Sequence, residues 1–116
     1  MRKQWQAACM VADISDYSGH RVVVGSEEVA LFRVGKVLYA VGNFDPFSQA
    51  HIISRGVVSE IDGRIAVASP VFKQHFDLTT GFCLEDPSLR INVYSVRVRY
   101  GLVEVNPTPL CVFRRV

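Results

Sequence analysis

The 116-residue chain has no apolar run near the ~18 residues that a membrane-spanning helix requires. Its basic start, Met1-Arg2-Lys3, is not followed by the apolar stretch of a signal peptide, so a cytoplasmic protein is expected, with no membrane contact. Cysteine is sparse: Cys9, Cys83 and Cys111 lie far apart with no Cys-x-x-Cys spacing. An odd, scattered set fits a reducing compartment and argues against a disulfide framework, leaving small apolar or half-buried side chains. Excess charge of one sign is also missing. The net charge is +2, and the basic residues are dispersed apart from Arg114-Arg115, so no nucleic-acid footprint is expected. There is no Gly-x-Gly-x-x-Gly or Walker-type loop to hold nucleotide phosphates. No segment sustains a 3.6-residue apolar period, which predicts little helix.

What is present is a series of short strands separated by turn residues, in a composition (49% hydrophobic, 21% charged) ordinary for a globular domain. The length predicts one domain around one hydrophobic core. Trp5 to Ala8 reads as a first strand, and Asp13 to Asp16 as a turn or one helical turn. Arg21 to Val24 and Val29 to Val34 flank Gly25-Ser26-Glu27 as a hairpin, and Gly35-Lys36 leads into Val37 to Val41. Asp45-Pro46 breaks the pattern, and Ser48 to Ser54 reads as a short helix or compact loop. Further strands are expected at Val57 to Glu60, Arg64 to Ala68 and Phe76 to Leu78. A last hairpin is expected over Val93 to Arg99 and Leu102 to Val105. In Val96-Arg97-Val98-Arg99 the strict alternation predicts one buried and one solvated face. The whole is an all-β fold of about ten short strands, a sandwich or small barrels. After residue 105 a tail, 106–116, opens with Pro107 and Pro109 and carries apolar Leu110, Val112 and Phe113, which are expected to dock on the domain or on a partner.

The segment Ser69-Pro70-Val71-Phe72-Lys73-Gln74-His75-Phe76-Asp77-Leu78-Thr79-Thr80-Gly81 resembles the second cluster-binding loop of Rieske proteins, Cys-Pro-x-His-Gly-x-x-Phe-Asp-x-x-Thr-Gly. The scaffold residues Pro70, Phe76, Asp77, Thr80 and Gly81 are in place. Pro70 fixes φ, Phe76 is expected in the core, Asp77 can accept turn amides, and Gly81 permits a positive φ. The ligands are absent: Ser69 stands at the cysteine position and Phe72 at the histidine position. The first loop corresponds to Asn43-Phe44-Asp45, with Asn43 for cysteine and Asp45 for histidine. A Rieske centre needs two thiolates and two imidazoles, and this chain has no Cys-x-His or Cys-x-x-His pair. His51, His75 and Cys83 match no familiar zinc spacing. Ser69 with His75 lacks an orienting third group, so no catalytic residue is identified.

With Val41 to Phe47, Ile53-Ser54-Arg55-Gly56, Val67 to Phe76 and Cys83-Leu84-Glu85-Asp86-Pro87 taken together, the chain is similar to the small subunits of bacterial assimilatory NAD(P)H-dependent nitrite reductase. These are Rieske-like domains in which the ligands are characteristically missing, and the resemblance covers roughly residues 4–105. It departs from ordinary Rieske loops in the 23 residues from Pro46 to Ala68 between the two loops. The resemblance implies a Rieske-like domain over residues 1–105 with loops at about 42–56 and 69–81. It implies no cofactor on this chain, with FAD, an iron–sulfur cluster and sirohaem on a large subunit that reduces nitrite to ammonium in nitrite assimilation. The chain would be a non-catalytic subunit docked to that partner, with no small-molecule substrate of its own. Candidate contacts are Asn43, Asp45, Phe47, Phe72, Lys73 and His75. Asn43 and Asp45 can equally be turn residues, and Phe72 is expected to fold into the space a cluster would fill and avoid a cavity. A stand-alone Rieske-type ferredoxin and a cluster-less interaction module are the alternatives.

Overall fold

A computed structural model describes residues 4–110 of the chain. Twelve strands are present among these residues: β1 (Gln6–Met10), β2 (Ser18–Val24), β3 (Glu27–Val34), β4 (Val37–Gly42), β5 (Phe44–Asp45), β6 (Ala50–His51), β7 (Val57–Ile61), β8 (Arg64–Ala68), β9 (His75–Asp77), β10 (Val93–Tyr94), β11 (Val96–Arg99) and β12 (Leu102–Val105). Two 3-10 turns, Val11–Asp13 and Ile53–Arg55, are the helical elements described. The fold is all-β, as the punctuation of the sequence predicts.

The strands form antiparallel sheets ordered β1-β12-β11, β10-β4-β3-β2 and β7-β8-β9, with a small β5-β6 ribbon. The four-stranded sheet is the middle of the molecule. In β3, Val29, Ala30, Leu31 and Phe32 are all buried, so this strand is covered on both faces. Ala30 and Phe32, with Val41 of β4, meet Ile53, Val67, Phe76 and Leu78 on the side of β7-β8-β9. Val29 and Leu31, with Ala40, meet Ile14, Val103 and Val105 on the side of β1-β12-β11. The single core expected from length is therefore two clusters, one on each face of a shared sheet.

Of the two readings of Ser48 to Ser54 the compact loop holds: the chain turns through Gln49, at φ +58°, into β6 and then the second 3-10 turn, which begins at Ile53. Two local readings need correction. Val93 to Arg99 is split at Ser95 into β10, which joins the middle sheet, and β11, which joins the outer one. The alternation in β11 also fails to sort its faces. Val98 is 45% exposed, because β11 is an edge strand that outruns the core, while Arg97 is half-covered. Arg97 Nε donates to Glu104 Oε1 (2.7 Å) and its guanidinium lies 4.2 Å over the Trp5 ring. The start of the tail returns along this seam, with Asn106 N–H donating to Ser95 O and Leu110 N–H to Val93 O. Val112 and Phe113 lie outside the described residues.

Candidate functional site

The first motif loop leaves the middle sheet at Gly42 of β4, and the second joins β8 to β9 in the neighbouring three-stranded sheet. Asn43 and Asp45 flank Phe44. In an extended segment alternate side chains take opposite sides, so Asn43 and Asp45 turn inward together and Phe44 turns out. Asn43 and Asp45 are completely buried, and Phe44 is 44% exposed with its ring edge-on to His51 at 5.2 Å.

Asn43 ties three segments together. Its Oδ1 accepts the Ser54 N–H (2.7 Å), its Nδ2 donates to Glu28 Oε1 (3.2 Å), and its main chain pairs with Glu28 and Ile53. Glu28 also accepts from Arg21 Nε (2.8 Å). The Arg21 bond first and the Asn43 bond second hold the Glu28 carboxyl at a pKa of about 2. Asp45 accepts three donors: Phe47 N–H (2.9 Å), Ser48 Oγ (2.9 Å) and, from the other loop, Ser69 Oγ (2.5 Å). These bonds satisfy a carboxylate away from water.

In the second loop Ser69 is also completely buried. Its N–H donates to Gln74 O (2.9 Å) and its carbonyl accepts from Lys73 N–H (3.0 Å), closing the turn Pro70-Val71-Phe72-Lys73, in which Lys73 has φ +60°. Beyond the turn, Asp77 Oδ1 accepts the Thr79 and Thr80 amides, and Phe76 is buried. Gly81 has φ +82°, and a Cβ there would lie 2.2 Å from Ile91 O. These scaffold roles match the sequence reading. Gly56 closes the approach from the first loop, since a Cβ on it would lie 2.4 Å from Ala68 O beside Ser69.

The docking candidates separate by burial. Asn43 and Asp45 face the interior, because their polar atoms are used by the loops themselves, and offer a partner no surface. Phe47 is half-buried against Phe76, ring centroids 6.3 Å apart. His75 is half-buried and turned to its own chain: its N–H and Nδ1 both donate to Glu85 (2.8 and 2.6 Å). Burial alone would raise the Glu85 pKa, and the two His75 bonds outweigh it, leaving it lowered. Phe72 does not fill the interior. It is 57% exposed, next to Val71 at 53%, while Asp45 and Ser69, at two of the other ligand positions, are buried and bond to each other. Lys73 is exposed beside it. Val71 and Phe44 were missed as surface groups. The signal for Phe44 was its place between two inward-facing polar residues.

The four vacated positions thus carry an amide, a carboxylate, a hydroxyl and an outward phenyl ring. A [2Fe-2S] cluster of Rieske type needs thiolates and imidazoles at these positions, so the donor set does not fit one. Among the described residues no group of three or more His, Cys, Asp or Glu side chains is placed to hold a metal ion.

Residues 4–106 match the model of the Rieske-like [2Fe-2S] domain family. The chain is 39% identical over 104 residues to the nitrite reductase (NADH) small subunit of Salmonella typhimurium, covering 88% of this chain and 96% of that one. This chain belongs to the nitrite reductase small-subunit family of Rieske-like domains. A solution structure of the nitrite reductase [NAD(P)H] small subunit from Erwinia carotovora superposes with a TM-score of 0.79 at 37% identity, covering 99% of this chain and 90% of that one. The nitrite reductase [NAD(P)H] large subunit of Klebsiella oxytoca is 33% identical over 103 residues, which span 89% of this chain but 11% of that subunit.

Proposed function

We propose that this chain is the non-catalytic small subunit of a cytoplasmic NAD(P)H-dependent nitrite reductase, docked through the tip of its second loop to the large subunit. The observation that carries this reading is the exposed Val71-Phe72 pair, with Lys73, on a turn whose root is buried and hydrogen-bonded. Aromatic side chains held outward on fixed loops are favoured interface anchors. The Klebsiella large subunit supports the choice of partner. A segment similar to this chain is there part of the same polypeptide as the rest of the reductase subunit. A separate small subunit needs surface contacts to reach the same association. The resemblance implies that the large subunit holds the FAD, iron–sulfur cluster and sirohaem for nitrite assimilation. This chain then contributes a shape and no redox centre.

The test is affinity purification of the tagged full chain with its large subunit, followed by titration of the wild type and Phe72→Ala. The wild type should be colourless alone and should retain a coloured flavin- and sirohaem-bearing chain. Phe72→Ala should bind at least about tenfold more weakly at an unchanged melting temperature, as truncation of an interface anchor does. Equal binding by the variant would refute docking at the tip. Stoichiometric iron and acid-labile sulfide in the isolated chain would instead favour an electron-carrying ferredoxin.

A further inference from the structure

We infer that the bond from Ser69 to Asp45 is a strap that positions the second-loop tip, making Asp45 and Ser69 positioning residues at two of the vacated ligand sites. In a cluster-bearing Rieske domain each loop supplies ligands to both irons, so the metal centre itself fastens loop to loop. Here the two residues join the loops directly: Ser69 Oγ donates to Asp45 Oδ2 at 2.5 Å, across 24 residues of sequence. Both side chains are completely buried, which shields the bond from competing water.

The two ends of the strap are themselves fixed. Asp45 is fixed in the first loop by the Phe47 N–H on its other oxygen, Oδ1, and by the Gln49 N–H on its main-chain carbonyl, so the strap does not depend on the further donor Ser48 Oγ. Ser69 is the root of the exposed turn, since its N–H and C=O bond to Gln74 and Lys73 on the far side of the tip. A displacement of Ser69 must therefore move the base on which Val71, Phe72 and Lys73 stand. The consequence for binding rests on the docking reading above; the consequence for loop order does not.

Amide hydrogen exchange in the full chain tests the strap through the Lys73 N–H, whose acceptor is Ser69 O. Ser69→Ala removes the hydroxyl and leaves the main chain and the two first-loop donors to Asp45 intact. Exchange at Lys73 should quicken about tenfold or more, the expected cost of one bond to a charged acceptor, while Asp77 and Gly81 stay within about twofold. Ser48→Ala, which removes a donor from within the first loop only, should leave Lys73 unchanged. Affinity for the large subunit should fall in Ser69→Ala and hold in Ser48→Ala. Unaltered Lys73 exchange in Ser69→Ala, or equal acceleration in Ser48→Ala, overturns the strap. Faster exchange with wild-type affinity overturns its role in positioning the tip, provided Phe72→Ala weakens binding. If Phe72→Ala also binds like the wild type, it is the docking reading that fails, and the exchange result still decides the strap.

Discussion

Asn43→Ala removes the amide that joins β3, the first loop and the second 3-10 turn. Ser54 N–H loses its acceptor at 2.7 Å in a half-buried position, and a completely buried side chain is cut to a methyl group. An unsatisfied buried donor costs about 1–3 kcal/mol, and the void left by the amide brings the expected loss to about 2–4 kcal/mol. That is a large share of the ~5–15 kcal/mol that holds a domain together. At roughly 4 °C per kcal/mol for this size, the melting temperature should fall by about 8–16 °C. Urea unfolding followed by circular dichroism measures the loss, with an unchanged slope as the sign of an unchanged fold. A loss below about 0.5 kcal/mol would refute the assignment of Asn43 as a buried tie. Asn43→Asp sharpens the case. It keeps the Ser54 acceptor but sets a second carboxylate 3.2 Å from Glu28 Oε1, where the wild type has a donor. In the wild type the Glu28 pKa is lowered from 4.5 to about 2, so its contribution is full above about pH 4.5 and is lost as pH falls towards 2. In Asn43→Asp the paired carboxylates raise a pKa in the folded state, so the variant's deficit should be greatest at neutral pH and shrink as the pair takes up a proton. A deficit independent of pH between 4 and 7 would exclude the charge explanation.

Gly81→Ala and Gly63→Ala compare two glycines of similar backbone, φ +82° and +79°, in different surroundings. The Gly63 Cβ would meet nothing within 4 Å, so that variant should lose only the ~1–2 kcal/mol of a left-handed residue, whereas Gly81→Ala should lose at least about 3 kcal/mol against Ile91 O. Equal losses by denaturant unfolding would show that the Ile91 carbonyl yields freely. Tyr100 and Gly101 both have positive φ (53° and 78°), the mark of a type I′ turn, and Tyr100 is 96% exposed. Tyr100→Asn should therefore stabilise the chain by about 0.5–1 kcal/mol. A lower melting temperature would mean that the tyrosine ring supports the hairpin.

Much of this protein is written in short-range sequence. Turn residues and the short apolar runs between them mark most of the strands. Asp77 and Gly81 take their roles from neighbours only a few residues away, which is why their turn was legible before any fold was known. The missing ligands were equally plain, since thiolate and imidazole chemistry cannot be supplied by Asn43, Asp45, Ser69 and Phe72.

What replaces the ligands was not legible. The partners of Asn43 at Glu28 and Ser54, and of Asp45 at Ser69, are 11 to 24 residues away and meet only when the sheets have packed. Sequence alone favoured Phe72 inside, because a lost cluster suggests a space to fill. Tertiary packing buried Asp45 and Ser69 against each other and left the ring outward. Residue types and local turns determined which chemistry the loops had lost. Only the approach of the two loops decided that a buried carboxylate and hydroxyl would join them, because the energy of that bond depends on distance and desolvation that no single segment sets.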